Sequence, residues 1–339
     1  MHIIKDRQKI LLTVLISLFT LSGHLFAQDK AAAIKAYNNG LDQAKASEYS
    51  AAIESFEKTL DIAKQIGEQD LQDRAIKQLP TMYYQKAVGT YNQFKSDKSA
   101  ATLREAISEF NVATEVASEY GNSQISNRSK SIITQLTYNL SVLYFQQNKL
   151  DSAIAAVNRA INSNANYAKA YYHKALVEKK RGDFEAFVSN MDQAINIGLA
   201  VNDEDIVEKA QEKTAGELVG KGVQATENKN WTAARNHLER ALNYNSESSD
   251  AHFRMAEMLN KRNQYSEALN HAKKALDLES GGKSEKAKIY FELGLAYQGL
   301  GNKSASCNAL DNAAYGSFKS SAEHKMEFEL KCKTLAQSK

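Results

Sequence analysis

The stretch NKLDSAIAAVNRAI (148–161) is the best guide to the architecture, because the chain repeats its pattern several times. Related stretches are SEYSAAIESFEKTL (47–60), KNWTAARNHLERAL (229–242) and NQYSEALNHAKKAL (263–276). Each copy has a small residue near its middle and apolar residues three and four positions apart, which is the spacing of one face of a helix. This self-similarity predicts an array of related helical units.

The small residue at the centre of each copy gives the repeat length. It recurs, or is replaced by another residue, at seven positions: Ala52, Ala106, Ala153, Phe187, Ala234, Ala268 and Ser306. Two of the intervals are 34 residues, and the longer intervals contain additional helix-forming sequence. A single proline in 339 residues also suits long helices. The sequence therefore predicts an all-α protein.

Each copy follows a second amphipathic stretch, and a short polar turn joins the two. The stretch TQLTYNLSVLYFQQ (134–147), for example, has Leu136, Leu140 and Tyr144 on one face. Two helices joined by a few residues form an antiparallel hairpin. One hairpin cannot bury its apolar face alone, whereas stacked hairpins bury it against each other, so each unit is the packing surface of the next.

These units resemble tetratricopeptide repeats. ELGLAYQGLGN (292–302) has the Leu-Gly pair and the following Tyr of that family's first helix in Leu293, Gly294 and Tyr297. In NLSVLYFQQNK the family's Gly is replaced by Ser141. The resemblance implies an all-α, right-handed superhelical solenoid of antiparallel helix pairs, about seven repeats long. In such an array the first helix of each pair lines a concave face.

The resemblance also sets the expected domain limits. Residues 28–320 are predicted to be the tetratricopeptide repeat array, and residues 321–339 a C-terminal capping helix and tail. Three joints in the array are longer than a turn, and each has a glycine expected to end a helix: Gly67, Gly121 and Gly198. Pro80 lies in the helical run after the first of these joints and is expected to kink or restart it.

The first 27 residues have the pattern of a secretory signal peptide. A basic leader with Lys5, Arg7 and Lys9 precedes an apolar run over 10–21, and a small residue, Ala27, follows. The apolar run is shorter than the roughly 20 residues of a membrane span, although an uncleaved N-terminal anchor is the alternative. The junction resembles bacterial signal peptides, particularly those of the Bacteroidota. We therefore expect cleavage after Ala27, a mature chain without a transmembrane segment, and a periplasmic or secreted location.

Charge gives no reason to expect a nucleic-acid partner. The predicted signal peptide holds three of the 43 basic and one of the 40 acidic groups, so the mature chain has a net charge of +1. Nucleic-acid affinity depends largely on basic groups that neutralise phosphates. A nearly neutral chain is therefore not predicted to bind nucleic acid.

The resemblance places the binding surface on the first helices. Five aromatic residues occupy the same place in their repeats and are expected to point outward, with an asparagine beside one of them: Tyr37, Tyr138, Asn139, Tyr172, Phe253 and Phe291. Aromatic rings offer a large contact area, and tyrosine adds a polar tip. They predict a groove for an extended or helical segment of a partner. The alternative is that some of these rings pack within their own repeat.

The sequence offers few groups for catalysis. It has no phosphate-binding loop, no dinucleotide-binding glycine motif and no serine nucleophile elbow. His237 and His271 occupy equivalent places 34 residues apart, but no two histidines have the spacing of metal ligands on one helical turn. We therefore predict no cofactor, no metal site and no enzymatic activity.

The two cysteines, Cys307 and Cys332, leave two alternatives open. In an oxidising compartment, a turn near 316–320 would bring them together as a disulfide. Otherwise they are two buried thiols that act as small apolar residues.

Together these features predict a non-enzymatic protein–protein interaction scaffold of the cell envelope, which binds a protein or peptide partner through its concave face. Two alternatives remain. In the first, the chain is a structural subunit of an envelope complex for secretion, motility or outer-membrane assembly, and contacts the other subunits. In the second, it captures glycans, although the loop-rich part and lipid-anchor cysteine of repeat-containing nutrient-uptake proteins are missing from this sequence.

Overall fold

A computed structural model describes residues 28–332, and every regular element in that range is helical. The predicted signal peptide (1–27) and residues 333–339 lie outside the described residues. The α-helices are α1 (28–45), α2 (Tyr49–Ile66), α3 (Gln69–Asp97), α4 (Ala100–Glu119), α5 (Ser123–Gln146), α6 (Leu150–Ser163), α7 (Ala168–Arg181), α8 (Phe184–Val201), α9 (Glu204–Glu227), α10 (Trp231–Tyr244), α11 (Ser249–Lys261), α12 (Tyr265–Leu278), α13 (Lys283–Gly299), α14 (Lys303–Ala313) and α15 (Lys319–His324).

Polar caps mark where several helices begin. A side chain just before the helix accepts a hydrogen bond from a backbone N–H of the first turn at Ser99, Asn122, Asp203, Asn230, Ser248 and Asn302. Such a cap satisfies an N–H group that has no partner within the helix. The short polar turns seen in the sequence therefore contain the side chains that cap the helices following them.

The described helices form two compact units, which divide between Asp183 and Phe184. In unit 1 (α1–α7), α3 pairs with α4 and α5 with α6, and the first helices also contact each other, α3 with α5 and α5 with α7. In unit 2 (α8–α15), the pairs are α9 with α10, α11 with α12 and α13 with α14. There too the first helices are neighbours, α9 with α11 and α11 with α13. The predicted all-α fold of stacked helix pairs is confirmed.

The recurring central residues of the sequence pattern lie in the core. All seven of them are completely buried. Six are alanine or serine, so a second helix can approach the first helix of its pair closely at this point. Phe187 is the exception, and it is among the largest fully buried side chains of the described chain.

Two of the three predicted glycine stops are confirmed, and the third is wrong. Gly67 and Gly121 each have a φ of 71° at a turn, a left-handed conformation that glycine adopts without strain. Gly198 instead lies inside α8, where a Cβ would stand 2.7 Å from a methyl carbon of Val207. Glycine at this position allows α8 and α9 to pack closely. The left-handed turn residue is Asn202, with a φ of 57°.

The expected restart at Pro80 is also wrong. Helix α3 runs without interruption from Gln69 to Asp97 with Pro80 inside it. Proline removes one backbone hydrogen bond from a helix interior. Pro80 is buried, and α3 packs along both α2 and α4, so tertiary contacts stabilise the helix across this position.

The C-terminal segment folds against the last helix pair. A disulfide joins Cys307 of α14 to Cys332, with the two Cα atoms 5.9 Å apart. Of the two alternatives that the sequence left open, the structure has the disulfide. The regular helix is shorter than the predicted cap, because α15 ends at His324 and gives way to a π-helical turn over Lys325–Glu329. None of the helices between residues 28 and 332 combines the length and apolar character that a membrane crossing requires.

Candidate functional site

Four rings of unit 1 pack together where α5 faces α7. We call Tyr138, Phe145, Tyr167 and His173 the aromatic cluster. Tyr138 packs edge-on against Tyr167 and His173, with centroids 5.3 and 5.5 Å apart, and Phe145 packs edge-on against His173 at 5.5 Å. Edge-to-face ring pairs of this kind are favourable. Tyr138, predicted from the sequence as a site residue, is therefore held in place by its neighbours.

The aromatic cluster is only partly buried. Burial raises the pKa of the Tyr138 hydroxyl, and Tyr172 contributes to the rise. Burial also raises the pKa of Tyr167, with a further contribution from Tyr138. Tyr172, the other predicted site residue on these two helices, is half-buried on α7. The hydroxyls of Tyr138 and Tyr167 can each donate a hydrogen bond to a partner.

Buried hydrogen bonds hold His173 of the aromatic cluster in place. Ser141 Oγ donates to the carbonyl oxygen of Ala153 on α6 at 2.7 Å, and His173 Nε2 lies 3.0 Å from the same Oγ. Because the hydroxyl proton points to Ala153, His173 Nε2 must carry a proton and donate. Burial lowers the pKa of His173, so the ring is neutral at pH 7. Ser141, the residue that replaces the family's glycine, thus ties α5 to both α6 and α7.

An amide and a cation flank the aromatic cluster. Asn139 is half-buried, and its side chain forms no hydrogen bond within the described part of the chain. The hydrogen bond from the Asn139 amide to a partner's backbone stays a prediction. Lys180 places Nζ 4.8 Å from the centre of the Phe145 ring, which is a cation–π distance.

Tyr37 packs within its own repeat. Its ring meets Phe56 edge-on, with centroids 5.5 Å apart. Phe56 is completely buried, whereas Tyr37 is half-buried. This residue follows the alternative given for the aromatic positions, although part of its surface stays accessible.

A polar pocket of about 490 Å³ lies beside the aromatic cluster in unit 1. Tyr167 is a member of the aromatic cluster and also lines this pocket. The other lining residues carry hydroxyl, amide or ammonium groups: Lys130, Ser131, Thr134, Gln135, Ser163 and Asn164. Within the pocket wall, Thr134 Oγ1 and Ser163 Oγ are hydrogen-bonded at 2.8 Å. One ring beside hydroxyl and amide groups and a single ammonium group is a combination that suits a hydroxylated ligand.

Phe253 in unit 2 does not present its ring. It is only 4% exposed and packs against Ala275 and Ile289. Arg254 and Lys288 lie over its face, at 4.8 and 4.9 Å from the ring centre. The prediction that this ring points outward is wrong, because two long basic side chains cover it. The outer surface here is charged rather than aromatic.

Phe291 is half-buried and lines a second pocket, of about 460 Å³, between α11, α12, α13 and the C-terminal segment. We call it the Glu292 pocket. Its walls are Asn260, Lys261, Tyr265, Phe291, Glu292, Leu295, Gln298, Gly299 and Lys325. The Phe291 ring also contacts Phe318, with centroids 5.4 Å apart. Of the two predicted site residues in unit 2, this one borders a cavity.

Glu292 is a functional candidate that the sequence analysis missed. It is 7% exposed, and Asn260 Nδ2 donates to its Oε2 at 2.8 Å. Burial raises the pKa of the carboxyl group to about 7, and Glu257 adds to the rise, while the Asn260 hydrogen bond and the cations Lys261 and Arg254 oppose it. A buried carboxyl group with a strongly shifted pKa in a cleft is a mark of a functional site.

The signal that could have found Glu292 is its place on the helix face. It follows Ile289 by three positions and precedes Ala296 by four, and both are completely buried. Residues at those spacings share a face. A charged residue on an otherwise apolar face is informative, because charges are rarely buried without a partner.

A histidine pair joins α11 to α12. His252 Nδ1 lies 2.9 Å from His271 Nδ1, and His252 Nε2 lies 3.2 Å from the carbonyl oxygen of Ser246. Burial lowers the pKa of both rings. The sequence had related His271 to His237 by repeat position, whereas the spatial neighbour is His252. Among residues 28–332, no group of three or more His, Cys, Asp or Glu side chains is placed to hold a metal ion.

Two segments of the chain match a protein-family model. Residues 138–195 and 225–283 match the family model of the tetratricopeptide repeat. The first segment contains the Tyr138 and Tyr172 surface, and the second contains the α10 to α12 region. These two segments are therefore similar to the repeat that the sequence pattern resembles. A search of curated proteins gave no match.

Several solved structures are similar in fold. YrrB, described as a tetratricopeptide repeat protein with an unusual peptide-binding site, is 18% identical over 57% of this chain and 91% of that one, with a TM-score of 0.35. A tetratricopeptide repeat protein from Parabacteroides merdae is 13% identical over 88% and 98%, with a TM-score of 0.29. The TPR2AB domain of yeast Sti1, solved with pHSP90, is 16% identical over 89% and 96%, with a TM-score of 0.31. Values this low support no argument about a ligand.

Proposed function

We propose that this tetratricopeptide repeat chain is a non-enzymatic scaffold that binds a protein or peptide partner through the first-helix faces of its repeats. The observation that carries the proposal is the surface around Tyr138 and Tyr172. Two half-buried tyrosines, an asparagine without a hydrogen bond in the described chain and a lysine over Phe145 lie on α5 and α7. Aromatic and amide groups on a rigid frame are what a partner's extended segment requires.

The rigidity of this surface supports a binding role. His173 of the aromatic cluster is buried and hydrogen-bonded to Ser141, which donates in turn to the backbone of α6. The rings that pack against His173 are therefore restricted in their motion. A surface that is already ordered loses less conformational entropy when a partner binds. Binding free energy is therefore available for affinity and selectivity.

We propose further that the mature chain works in the periplasm or outside the cell of a bacterium of the Bacteroidota type. The leader sequence before Ala27 is the support for export. The disulfide between Cys307 and Cys332 agrees with an oxidising compartment. In this setting the partner is an envelope protein, and the chain acts either as a recruiting scaffold or as a fixed subunit of an envelope complex.

Affinity capture tests the proposal. Tagged chain is recovered from cross-linked envelopes of its own host, beside a Tyr138→Ser/Tyr172→Ser double variant and a Tyr171→Ser control on the same helix, each shown by circular dichroism to be helical. A partner retained by the wild type and the control but lost by the double variant supports the scaffold. A partner held equally by all three contradicts the proposed surface. Recovery of one stable complex of fixed stoichiometry favours the structural subunit.

Glycan capture is a second candidate, favoured by the polar pocket that Tyr167 and Gln135 share. An aromatic face beside hydroxyl and amide groups is suited to a sugar ring. Titration of the chain with envelope oligosaccharides, in the wild type and in a Gln135→Ala variant, separates the two functions. Saccharide binding that the variant loses, without any protein partner in the capture experiment, would replace the scaffold by glycan capture.

A further inference from the structure

We propose that the Glu292 pocket of unit 2 receives the ammonium group of a lysine side chain from the bound partner. This inference rests on the proposed scaffold function and names one chemical feature of the partner. It follows from the hydrogen-bonding state of the pocket, the charges of its lining residues and the shape of its walls.

Two hydrogen-bond acceptors of the Glu292 pocket receive no donor from the described chain. Asn260 Nδ2 donates to the backbone carbonyl of Glu292 at 2.9 Å and to its Oε2 at 2.8 Å. The second carboxyl oxygen has no hydrogen bond within residues 28–332. Asn260 Oδ1 is fully buried and has no hydrogen-bond partner among the described residues. Buried acceptors are almost always satisfied in proteins, so this site is short of a donor.

The charges of the lining residues favour a cation. Lys261 Nζ pairs with Glu257 at 2.8 Å, and Lys325 Nζ pairs with Glu329 at 2.9 Å. Both lysines in the wall therefore have their own carboxylates. Glu292, in contrast, has no ion pair within the described chain. Because a buried carboxylate without a counter-charge is unfavourable, the charge that the pocket lacks is positive.

The free acceptor suits an ammonium better than a guanidinium. Arginine binds carboxylates best through two parallel hydrogen bonds, one to each oxygen. In Glu292 the Oε2 atom is already committed to Asn260. One oxygen remains for a ligand, and a compact ammonium group can donate to a single oxygen without losing its preferred geometry.

The walls suit the aliphatic stem of a lysine. Phe291, Leu295 and Tyr265 supply apolar surface beside the carboxyl group. Tyr265 lies directly on the backbone of α13, since a Cβ on Gly299 would stand 2.3 Å from the ring. Glycine at this position thus lets the tyrosine ring form one wall. Lysine commonly lays its methylene chain along apolar surface while its charge is held elsewhere.

The test uses n-butylammonium as a probe of the lysine stem and charge. The Leu295 methyl resonances of the full disulfide-bonded chain are followed at pH 8 during titration with n-butylammonium, n-butylguanidinium or n-butanol. We expect saturable shifts with n-butylammonium, weaker binding of the guanidinium and none of the alcohol. In Glu292→Gln, which keeps the size and the Asn260 hydrogen bond, binding should weaken about tenfold or more. The control Glu285→Gln, exposed on the same helix, should bind like the wild type.

The inference is overturned if n-butylammonium gives no saturable shift, or if Glu292→Gln and the wild type bind it equally. This outcome is separate from that of the capture experiment, because the probe requires no protein partner. If the pocket binds n-butylammonium but the chain captures no protein, the cation site is supported and the scaffold function is rejected. If the chain captures a protein partner but does not bind n-butylammonium, only the proposed lysine site is rejected.

Discussion

Gly222 on α9 lies against Leu238 on α10 so closely that a Cβ at Gly222 would stand 2.6 Å from Leu238 Cγ. Two other helix pairs have the same relationship at the same separation of sixteen residues. A Cβ on Gly40 would stand 2.9 Å from the ring of Phe56, and one on Gly294 would stand 2.8 Å from Leu310. The large residue of the second helix therefore fills the space that glycine leaves on the first. This is the physical meaning of the glycine in the Leu293-Gly294 pair of the sequence.

Substitution of this glycine should destabilise unit 2. In Gly222→Ala the added methyl group must displace Leu238 in a close-packed core, and such overpacking costs about 1–3 kcal/mol. Gly220→Ala on the same helix is the matched control, because its Cβ would meet nothing within 4 Å; it should gain roughly 0.5–1 kcal/mol from helix propensity. Urea unfolding of both variants measures the difference. Equal free energies of unfolding for the two variants would show that Leu238 can move aside without destabilising the fold.

The carboxyl group of Glu292 should make stability fall as pH rises. Its pKa is about 7 in the folded chain against an ordinary value of 4.5, so between these values the folded state binds the proton more tightly than the unfolded state. The contribution is therefore fully present below pH 4.5 and is lost as pH rises through about 7. At 1.36 kcal/mol per unit, the loss is roughly 3 kcal/mol.

The measurement is the free energy of unfolding of the wild type and of Glu292→Gln at pH 5 and pH 8. The free energy of unfolding of Glu292→Gln, taken relative to that of the wild type, should rise by up to a few kcal/mol from pH 5 to pH 8. Burial lowers the pKa of His173 and His252, which gives the opposite pH trend, but these rings are common to both proteins and cancel. A constant difference between the two proteins would contradict the buried, uncompensated carboxyl group.

Loss of the disulfide should release the C-terminal segment. Cys307 and Cys332 are 25 residues apart, and the loop-closure model gives roughly 3–4 kcal/mol for a link of that length. In a Cys307→Ser/Cys332→Ser variant, amide exchange over 319–332 should accelerate, while α9 and α10 keep their protection. The reduced wild type is the control and should match the variant. Unchanged exchange over 319–332 would mean that packing alone holds the segment.

Core and surface positions of unit 1 should respond differently to substitution. Ala153 is completely buried at a helix crossing, so Ala153→Trp should lower stability by about 1–3 kcal/mol or more through overpacking. Tyr172 is half-buried, and Tyr172→Ser should mainly weaken partner binding. Thermal unfolding separates the two effects. If Tyr172→Ser lowered the melting temperature as much as Ala153→Trp, the assignment of Tyr172 to the binding surface would be wrong.

The helix pairs could be predicted from the sequence because their determinants are local and repeated. Ala153 and Ala234, for example, mark where a second helix approaches its first, and a small residue recurs at this position in every repeat but that of Phe187. Gly198 was misread because glycine is used both to end a helix and to admit a neighbouring side chain. Only the packing against Val207 distinguishes the two uses.

The candidate site could be predicted only in part, because equal repeat position does not mean equal exposure. Tyr138, Tyr172 and Phe253 share one place in their repeats. Tyr138 and Tyr172 stay partly exposed, whereas Arg254 and Lys288 cover Phe253. Arg254 lies on the same helix as Phe253, whereas Lys288 lies on α13, and a contact from another repeat cannot be inferred from the repeat pattern.

The most direct test of the binding surface is site-specific photo-crosslinking in the intact host. A benzophenone amino acid is placed at Tyr172 on first helix α7 or, as a control, at Ala155, which is exposed on second helix α6. Both positions belong to unit 1. We predict a discrete crosslinked partner from position 172 and none from position 155. A partner crosslinked only from position 155 would place the interface on the second helices and contradict the account.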